Sequence, residues 1–355
     1  MACGPTTPDN DQAAPEPRPR SVVDPVVNPV ISEDSLPRAL VDELNSCGVS
    51  AELVRSWAVR EAKVLPEPSE SSRPWEVIPV QVRKGVLRFL YGFANLVGLS
   101  QTGQPQMFWF DAVLLLDLYC LRESTPIEAL PAACAAVVGL LQKNASSKQN
   151  GSAGGLTSDL AKGLRNMCCC CCSEVTAEAI RIHEQAVLQS LSWQINLPSV
   201  HTWLSMLRDR FNILSCRICS QSIDFAFASS TSIAGTLVMH NVVSTSMSPQ
   251  RMANGLFCLT MVGVNLIPLE ALRPVGLCTA EGWTKLYIQN FAPSGGAVSM
   301  CKNSAHLGDM LRLIQAAAWS GLATLQGDSH AVAMAMRKFA SSLQSRHAQG
   351  AKRDT

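Results

Sequence analysis

The sequence is poor in charged residues and lacks the motifs that assign most enzymes to a class. Charged side chains make up 16% of the 355 residues, against about 25% in typical soluble domains. The 29 basic and 28 acidic residues leave a net charge of +1, which argues against nucleic acid as a partner. We find no nucleophile elbow, phosphate-binding loop, paired carboxylates or metal-ligand spacing, so we expect no catalytic residue, metal or cofactor.

Long hydrophobic runs are also missing. The longest apolar stretch covers residues 130–141, well short of the roughly 20 residues that a spanning helix needs. The first 20 residues contain no apolar core of a secretory signal. The 14 cysteines follow no regular spacing, which is atypical of a disulfide framework. We therefore expect no membrane segment and an intracellular location, in the nucleus or the cytoplasm.

What is present is helical periodicity, without any strand-like alternation, and the predicted fold class is all-α. The first 37 residues hold eight prolines and no aromatic residue, which is typical of a disordered tail. We expect five regions: the disordered tail 1–37, a helical segment and linker over 38–75, a helical domain over 76–215, a second domain over 216–292 and a helical extension over 293–355.

The first domain is expected to contain five helices around a central third one. An apolar stripe starts at Val82, and the next helix covers residues 107–121. Thr125, Pro126 and Glu128 read as an N-cap, a first-turn proline and a capping-box acid. The alanine-dense stretch 130–141 suits a helix whose neighbours approach closely. Two further helices are predicted over 174–193 and 199–214, and the segment Asn196-Leu197-Pro198-Ser199 between them is predicted to end the first helix and cap the second.

Residues 145–173 interrupt this pattern and are expected to be a flexible, cysteine-rich insertion. Five cysteines lie in a row at positions 168–172, and adjacent thiols point in different directions, so they do not converge on one metal ion. In the second domain, two helices are expected within 222–243. Ser248 and Thr279 are predicted to cap two more.

At residues 183–204, HEQAVLQSLSWQINLPSVHTWL, the sequence resembles the end of the first cyclin box, with a glutamate, an apolar helix, an aromatic residue and a proline break. VRKGVLRFL (82–90) is similar to the first-helix motif of that family. AVLLLDLYCL (112–121) is similar to the second-helix motif, and LPAACAAVVGLLQKN (130–144) to its alanine-rich third helix. The order and spacing of these motifs carry the resemblance, and residues 218–291 are similar to a second, divergent box.

The resemblance implies a cyclin-like fold of two tandem five-helix bundles, each with a central helix. It also implies a function: a regulatory subunit, itself not an enzyme, that forms a heterodimer with a cyclin-dependent protein kinase, activates it and also contacts kinase substrates. Cyclins act by holding a kinase helix in its active position, so that a lysine–glutamate ion pair forms in the kinase. Cell-cycle or transcriptional control is the expected role.

Two residue pairs follow from the resemblance. Arg83 and Asp117 match the buried arginine–aspartate pair of the family, and a lone carboxylate in an apolar helix needs such a partner. Lys143 and Glu184 match the lysine and glutamate that grip the kinase. The alternative for this second pair is a helix-end lysine and a solvated carboxylate near Arg181.

A third set of residues matches the substrate-docking patch on the first helix of the family. The corresponding positions are Val82, Val86 and Phe89, which share one helix face. An ordinary core stripe explains them equally well.

Two other functions remain open. One is a cyclin-fold scaffold or transcription-factor-like interaction protein that does not activate a kinase. The other is an all-helical enzyme, which ranks last because no catalytic motif supports it.

Overall fold

The computed structural model describes residues 33, 36–65, 80–96, 105–123, 125–146, 156–167, 175–215, 217, 219–239, 248–264 and 266. Within these residues the only regular elements are helices, which confirms the all-α prediction. The α-helices are α1 Arg38–Ser46, α2 Ala51–Val64, α3 Val80–Leu96, α4 Pro105–Arg122, α5 Leu130–Ser146, α6 Leu156–Met167, α7 Ala177–Ser190, α8 Val200–Leu214, α9 Ser220–Met239 and α10 Pro249–Gly263. A short 3₁₀ turn, Ile127–Ala129, leads into α5.

Helix α5 lies at the centre of its neighbours. Every residue from Ala132 to Leu141 is buried, and α3, α4, α6 and α7 all pack against this helix. Its alanines and Gly139 keep the helix narrow, so that four neighbours approach it closely. The sequence predicted such a central, alanine-dense helix, but it predicted a different set of neighbours.

Helix α6 is the neighbour of α5 that was not predicted. It lies inside residues 145–173, which were expected to be a flexible insertion. Leu160, Ala161 and Leu164 are buried, and the helix packs against α3, α5 and α7. Leucines at positions 156, 160 and 164 form an apolar stripe at helical spacing. That stripe is a helix signal, so the expectation of flexibility does not hold for residues 156–167. The cysteines at 168–172 lie outside the described residues.

Helix α8 joins the first group of helices to the second. Ten of its fifteen residues are buried, and it packs against α1, α4, α9 and α10. The expectation of two helices within 222–243 is corrected, because Ser220–Met239 forms one continuous helix. Its buried serine is accommodated, since Ser230 Oγ donates to the Ala226 carbonyl at 2.8 Å and lies 2.6 Å from Thr260 Oγ1.

Two of the predicted helix N-caps are present in the structure, and one is not. Ser199 Oγ accepts a hydrogen bond from the Thr202 amide, and Ser248 Oγ accepts one from the Arg251 amide. Both serines are therefore N-caps as predicted. The capping box at Thr125 does not form, because Pro126 precedes the 3₁₀ turn and no side chain caps it. Thr125 Oγ1 instead donates to the Glu123 carbonyl.

The predicted boundaries of the terminal regions fall largely outside the described residues. Those outside include the helix predicted after Thr279, the extension 293–355, the linker 66–79 and nearly all of the tail 1–37. Near the end of that tail, Glu33 and Leu36 are described. Leu36 is buried in the core, and Glu33 contacts Arg210 of α8 at 2.9 Å. Among the described helices, none combines the length and hydropathy of a membrane span.

Candidate protein-binding site

The Arg83–Asp117 pair forms at the interface of α3 and α4. Arg83 Nη2 lies 2.6 Å from Asp117 Oδ2, and the two side chains are 0% and 1% exposed. Arg83 Nη1 also donates to the Val238 carbonyl of α9 at 2.8 Å. One guanidinium thus links three helices. Because both side chains are buried, the pair is not accessible to another protein, and its role is structural.

The Lys143–Glu184 pair joins the carboxyl-terminal end of α5 to α7. Lys143 Nζ donates to both carboxylate oxygens of Glu184, at 2.6 and 2.8 Å. The lysine side chain is 31% exposed and the glutamate side chain 9% exposed. The structure therefore brings together the two residues that the resemblance assigns to kinase binding, and it leaves the lysine accessible to solvent. Arg181 does not take part, because it pairs with Glu178 at 3.1 Å.

Gly139 shapes the space that Glu184 occupies. A Cβ atom at Gly139 would lie 2.7 Å from Glu184 Oε1 and 2.9 Å from Leu160 Cδ1. Both distances are too short for non-bonded atoms, so a larger residue at this position would displace the Glu184 carboxylate and the Leu160 methyl group. Sequence reasoning missed this role. A glycine inside a helix of alanines is itself a signal of close approach.

Trp193 is the most exposed large apolar side chain near this pair. It follows the end of α7, and 69% of its surface is accessible. Ser192 and Trp193 both have positive φ, at 50° and 65°, which is uncommon for residues with side chains. The Trp193 amide donates to the Leu188 carbonyl at 2.8 Å and closes the helix end. An indole held outside the core in this way is available to a partner protein.

One hydrogen bond joins the loop after α7, which carries Trp193, to the end of α5, which carries Lys143. Asn144, next to Lys143, donates to Asn196 Oδ1 at 2.5 Å. Arg122 at the end of α4 donates to the carbonyls of Ser190 and Val64, which lie at the last turns of α7 and α2. The Asn144–Asn196 contact brings the segment with Trp193 to the end of α5, and we call Lys143, Glu184 and Trp193 together the Lys143 surface. Nothing in the local pattern of residues indicated that this tryptophan is exposed.

The predicted docking patch is part of a helix face that packs on the core. Val82, Val86 and Phe89 are all half-buried, and the Phe89 ring stacks on buried Phe93 with centroids 5.9 Å apart. Val86 and Phe89 contact the central core. The structure assigns them packing contacts, and their docking role stays a prediction.

A third buried carboxylate lies at Glu61 of α2. It accepts a hydrogen bond from Trp203 Nε1 at 2.6 Å and one from the Gln250 amide at 3.3 Å. Burial raises the pKa of Glu61 from 4.5 to about 7, although its hydrogen bonds and the nearby Arg251 oppose the shift. Glu61 forms no ion pair within the described part of the chain. It connects α2 to the start of α10 and to α8.

Within the described residues, no group of three histidine, cysteine or acidic side chains could hold a metal ion. A scan against protein-family models finds no match for this chain, and a search of the curated proteins finds none either. The cyclin resemblance therefore stays a prediction from the motifs of the first helical block.

Proposed function

We propose that the chain is a cyclin-like regulatory subunit that binds and activates a cyclin-dependent protein kinase through the Lys143 surface. The observation that carries the proposal is the paired ammonium and carboxylate of Lys143 and Glu184, which come from different helices and remain open on the lysine side. In cyclins, residues of these types at the matching positions grip the kinase.

The composition of the surface supports this proposal. An exposed indole at Trp193 supplies apolar contact area, and the half-exposed Lys143 supplies hydrogen-bond donors beside it. Aromatic side chains are enriched at the centres of interfaces that bind proteins, and polar or charged groups surround them at the rim. Bound at this surface, a kinase helix would be held in the position in which the catalytic lysine–glutamate pair of the kinase forms.

The decisive experiment is quantitative affinity purification of the tagged full chain from its own cells, with phosphoryl transfer from ATP measured on the recovered complex. We expect a protein kinase in near-equal amount with the wild-type chain. Glu184→Ala should lower its recovery by about tenfold, which corresponds to about 1.4 kcal/mol of binding free energy.

Two further variants make this experiment specific. Gly139→Ala should lower kinase recovery as well, because the new methyl group displaces the Glu184 carboxylate without removing its charge. Glu178→Ala is the matched control, since this carboxylate is on the same helix but exposed and paired with Arg181. It should leave recovery unchanged. Thermal unfolding of each variant separates loss of binding from loss of folding.

Recovery of a kinase that is equal for wild type, Glu184→Ala and Glu178→Ala would show that the Lys143 surface is not the interface. Recovery of DNA-binding factors without any kinase would favour the scaffold or transcription-factor-like alternative. A catalytic turnover by the isolated chain would contradict both.

A further inference from the structure

A groove opens on the side of α3 that faces away from the predicted docking patch. It has a volume of about 550 Å³ and lies between α3, the start of α4 and α9. On α3 it is lined by Lys84, Leu87, Arg88 and Tyr91. At 100° per residue these positions lie opposite Val82, Val86 and Phe89. Its described lining residues are all different from those of the Lys143 surface, so the groove is a second place on the molecule and not part of the proposed kinase interface.

One wall of the groove is aromatic and held in place. Trp109 Nε1 donates to the Leu87 carbonyl at 3.2 Å. The Trp109 ring meets Tyr91 edge-on with centroids 6.2 Å apart, and Phe110 at 4.9 Å. Tyr91 is 45% exposed. The wall therefore presents apolar area that is already ordered before any ligand arrives, which lowers the entropic cost of binding.

The rim of the groove is positively charged. Lys84 and Arg88 are one helical turn apart on the same side of α3, and neither forms an ion pair with a described residue. None of the described residues that line the groove is acidic, and the nearest acid on α9, Asp224, lies one turn before the lining residue Ala228. The charge of the rim is thus complementary to carboxylates on a ligand.

The opposite wall, on α9, carries a hydroxyl group without a hydrogen-bond partner. Thr231 lines the groove and is 6% exposed, and its Oγ1 atom contacts no donor or acceptor among the described residues. Buried polar groups in folded proteins are almost always hydrogen-bonded. The hydroxyl oxygen is closed to solvent, so it adds a polar atom behind this wall and no contact point for a ligand.

The floor of the groove is open because the residue at this position is Gly235, which has no side chain. A Cβ atom at Gly235 would lie 3.8 Å from the Trp109 ring and 3.9 Å from the Phe110 ring, which is ordinary contact. Alanine therefore fits at this position, whereas a longer side chain would extend into the space between the aromatic wall and α9. This position offers a way to fill the groove without disturbing the core.

We infer that the groove binds a segment of a partner protein in which an aromatic or aliphatic side chain lies next to acidic residues. The apolar side chain packs on the aromatic wall, and the carboxylates pair with Lys84 and Arg88. A basic segment is disfavoured by the rim charge. Two cations are also too few to bind nucleic acid strongly, because that affinity grows with the number of phosphates neutralised.

The test is a selection of random dodecapeptides displayed on phage against the immobilised full-length chain, followed by fluorescence anisotropy with the selected peptides. We expect these peptides to combine an aromatic or aliphatic residue with neighbouring Asp or Glu. Their affinity should fall as salt rises from about 0.05 to about 0.5 M. Gly235→Leu should weaken binding by about tenfold or more.

Matched variants assign the binding to the groove. Lys84→Glu combined with Arg88→Glu should also weaken binding by about tenfold or more. Arg60→Glu combined with Lys63→Glu makes the same charge change on exposed positions of α2 and should change affinity by less than about twofold. Gly235→Ala should be similarly silent. Circular dichroism and thermal unfolding check that each variant folds.

Three results would overturn the inference. The first is enrichment of basic or uncharged peptides, or no enrichment at all. The second is equal binding of the selected peptides by wild type and Gly235→Leu. The third is self-association of the chain that Gly235→Leu abolishes, which would assign the groove to a second copy of this chain.

Discussion

The Arg83–Asp117 and Lys143–Glu184 pairs have the same shortest contact, 2.6 Å, in opposite surroundings. The first is sealed on all sides, and the second is open on the lysine side. Burial makes the first pair costly to break, because removing one partner leaves a charge without water. In the second pair the Lys143 ammonium is partly hydrated, so the ion pair contributes less to the free energy of unfolding. Contact distance alone therefore does not distinguish the two ion pairs, and exposure does.

Asp117→Asn should have the largest effect on stability. The amide keeps the shape of the carboxylate but leaves the buried Arg83 guanidinium uncompensated, at a cost of about 3–5 kcal/mol. Urea unfolding followed by circular dichroism measures this. Asp159→Asn is the control, since its pair with Lys162 is 3.6 Å long and exposed, and it should cost less than about 0.5 kcal/mol. A similar cost for both variants would remove the distinction between the buried and the exposed pair.

Glu61 provides a buried carboxylate without an ion pair among the described residues and predicts a pH dependence. Its pKa is about 7 in the folded chain against 4.5 for an ordinary glutamate, so the folded state holds the proton more tightly. Relative to the unfolded state, this stabilisation is fully present below pH 4.5 and is lost as the pH rises to about 7.

Glu61→Gln should remove that dependence. Between pH 4.5 and about 7, the unfolding free energy of wild type should fall by roughly 3 kcal/mol relative to that of Glu61→Gln. Urea unfolding at a series of pH values measures it. A difference that stays constant with pH would mean that Glu61 titrates near its ordinary pKa.

Glu184→Gln should have the smallest effect of the three. The amide oxygen still accepts from Lys143, and the half-exposed ammonium is solvated, so the expected loss is about 1 kcal/mol or less. Differential scanning calorimetry measures it beside Glu178→Gln, which should be close to neutral. A loss as large as that of Asp117→Asn would place Glu184 among the purely structural charges and weaken the proposed interface.

Much of the helical architecture was predictable, because the apolar residues recur in the sequence at helical spacing. The five helices of the first block and the central position of the alanine-dense stretch follow from the sequence. So do the caps at Ser199 and Ser248. Helix α6 was missed because the linker-like composition around it outweighed its leucine stripe. The Thr125 capping box was wrong because a local 3₁₀ turn replaces the expected first turn of α5.

The sequence predicted two residues of the candidate site, but it did not predict which residues surround them. Lys143 and Glu184 were named from motif positions, and the structure brings them into contact. Gly139, Arg122 and the exposed face of Trp193 were not found, because each depends on which distant helix lies opposite. The groove beside Tyr91 has no sequence signature, since its walls come from three separate helices.

By itself, the sequence determined which segments are helical and which face of each helix is apolar, because both depend on residues within a few turns. Only the tertiary structure decided how deeply each charge is buried. The partners of Arg83 lie 34 and 155 residues away, and Glu184 lies 41 residues from Lys143. Burial is set by contacts between helices that chain spacing does not specify.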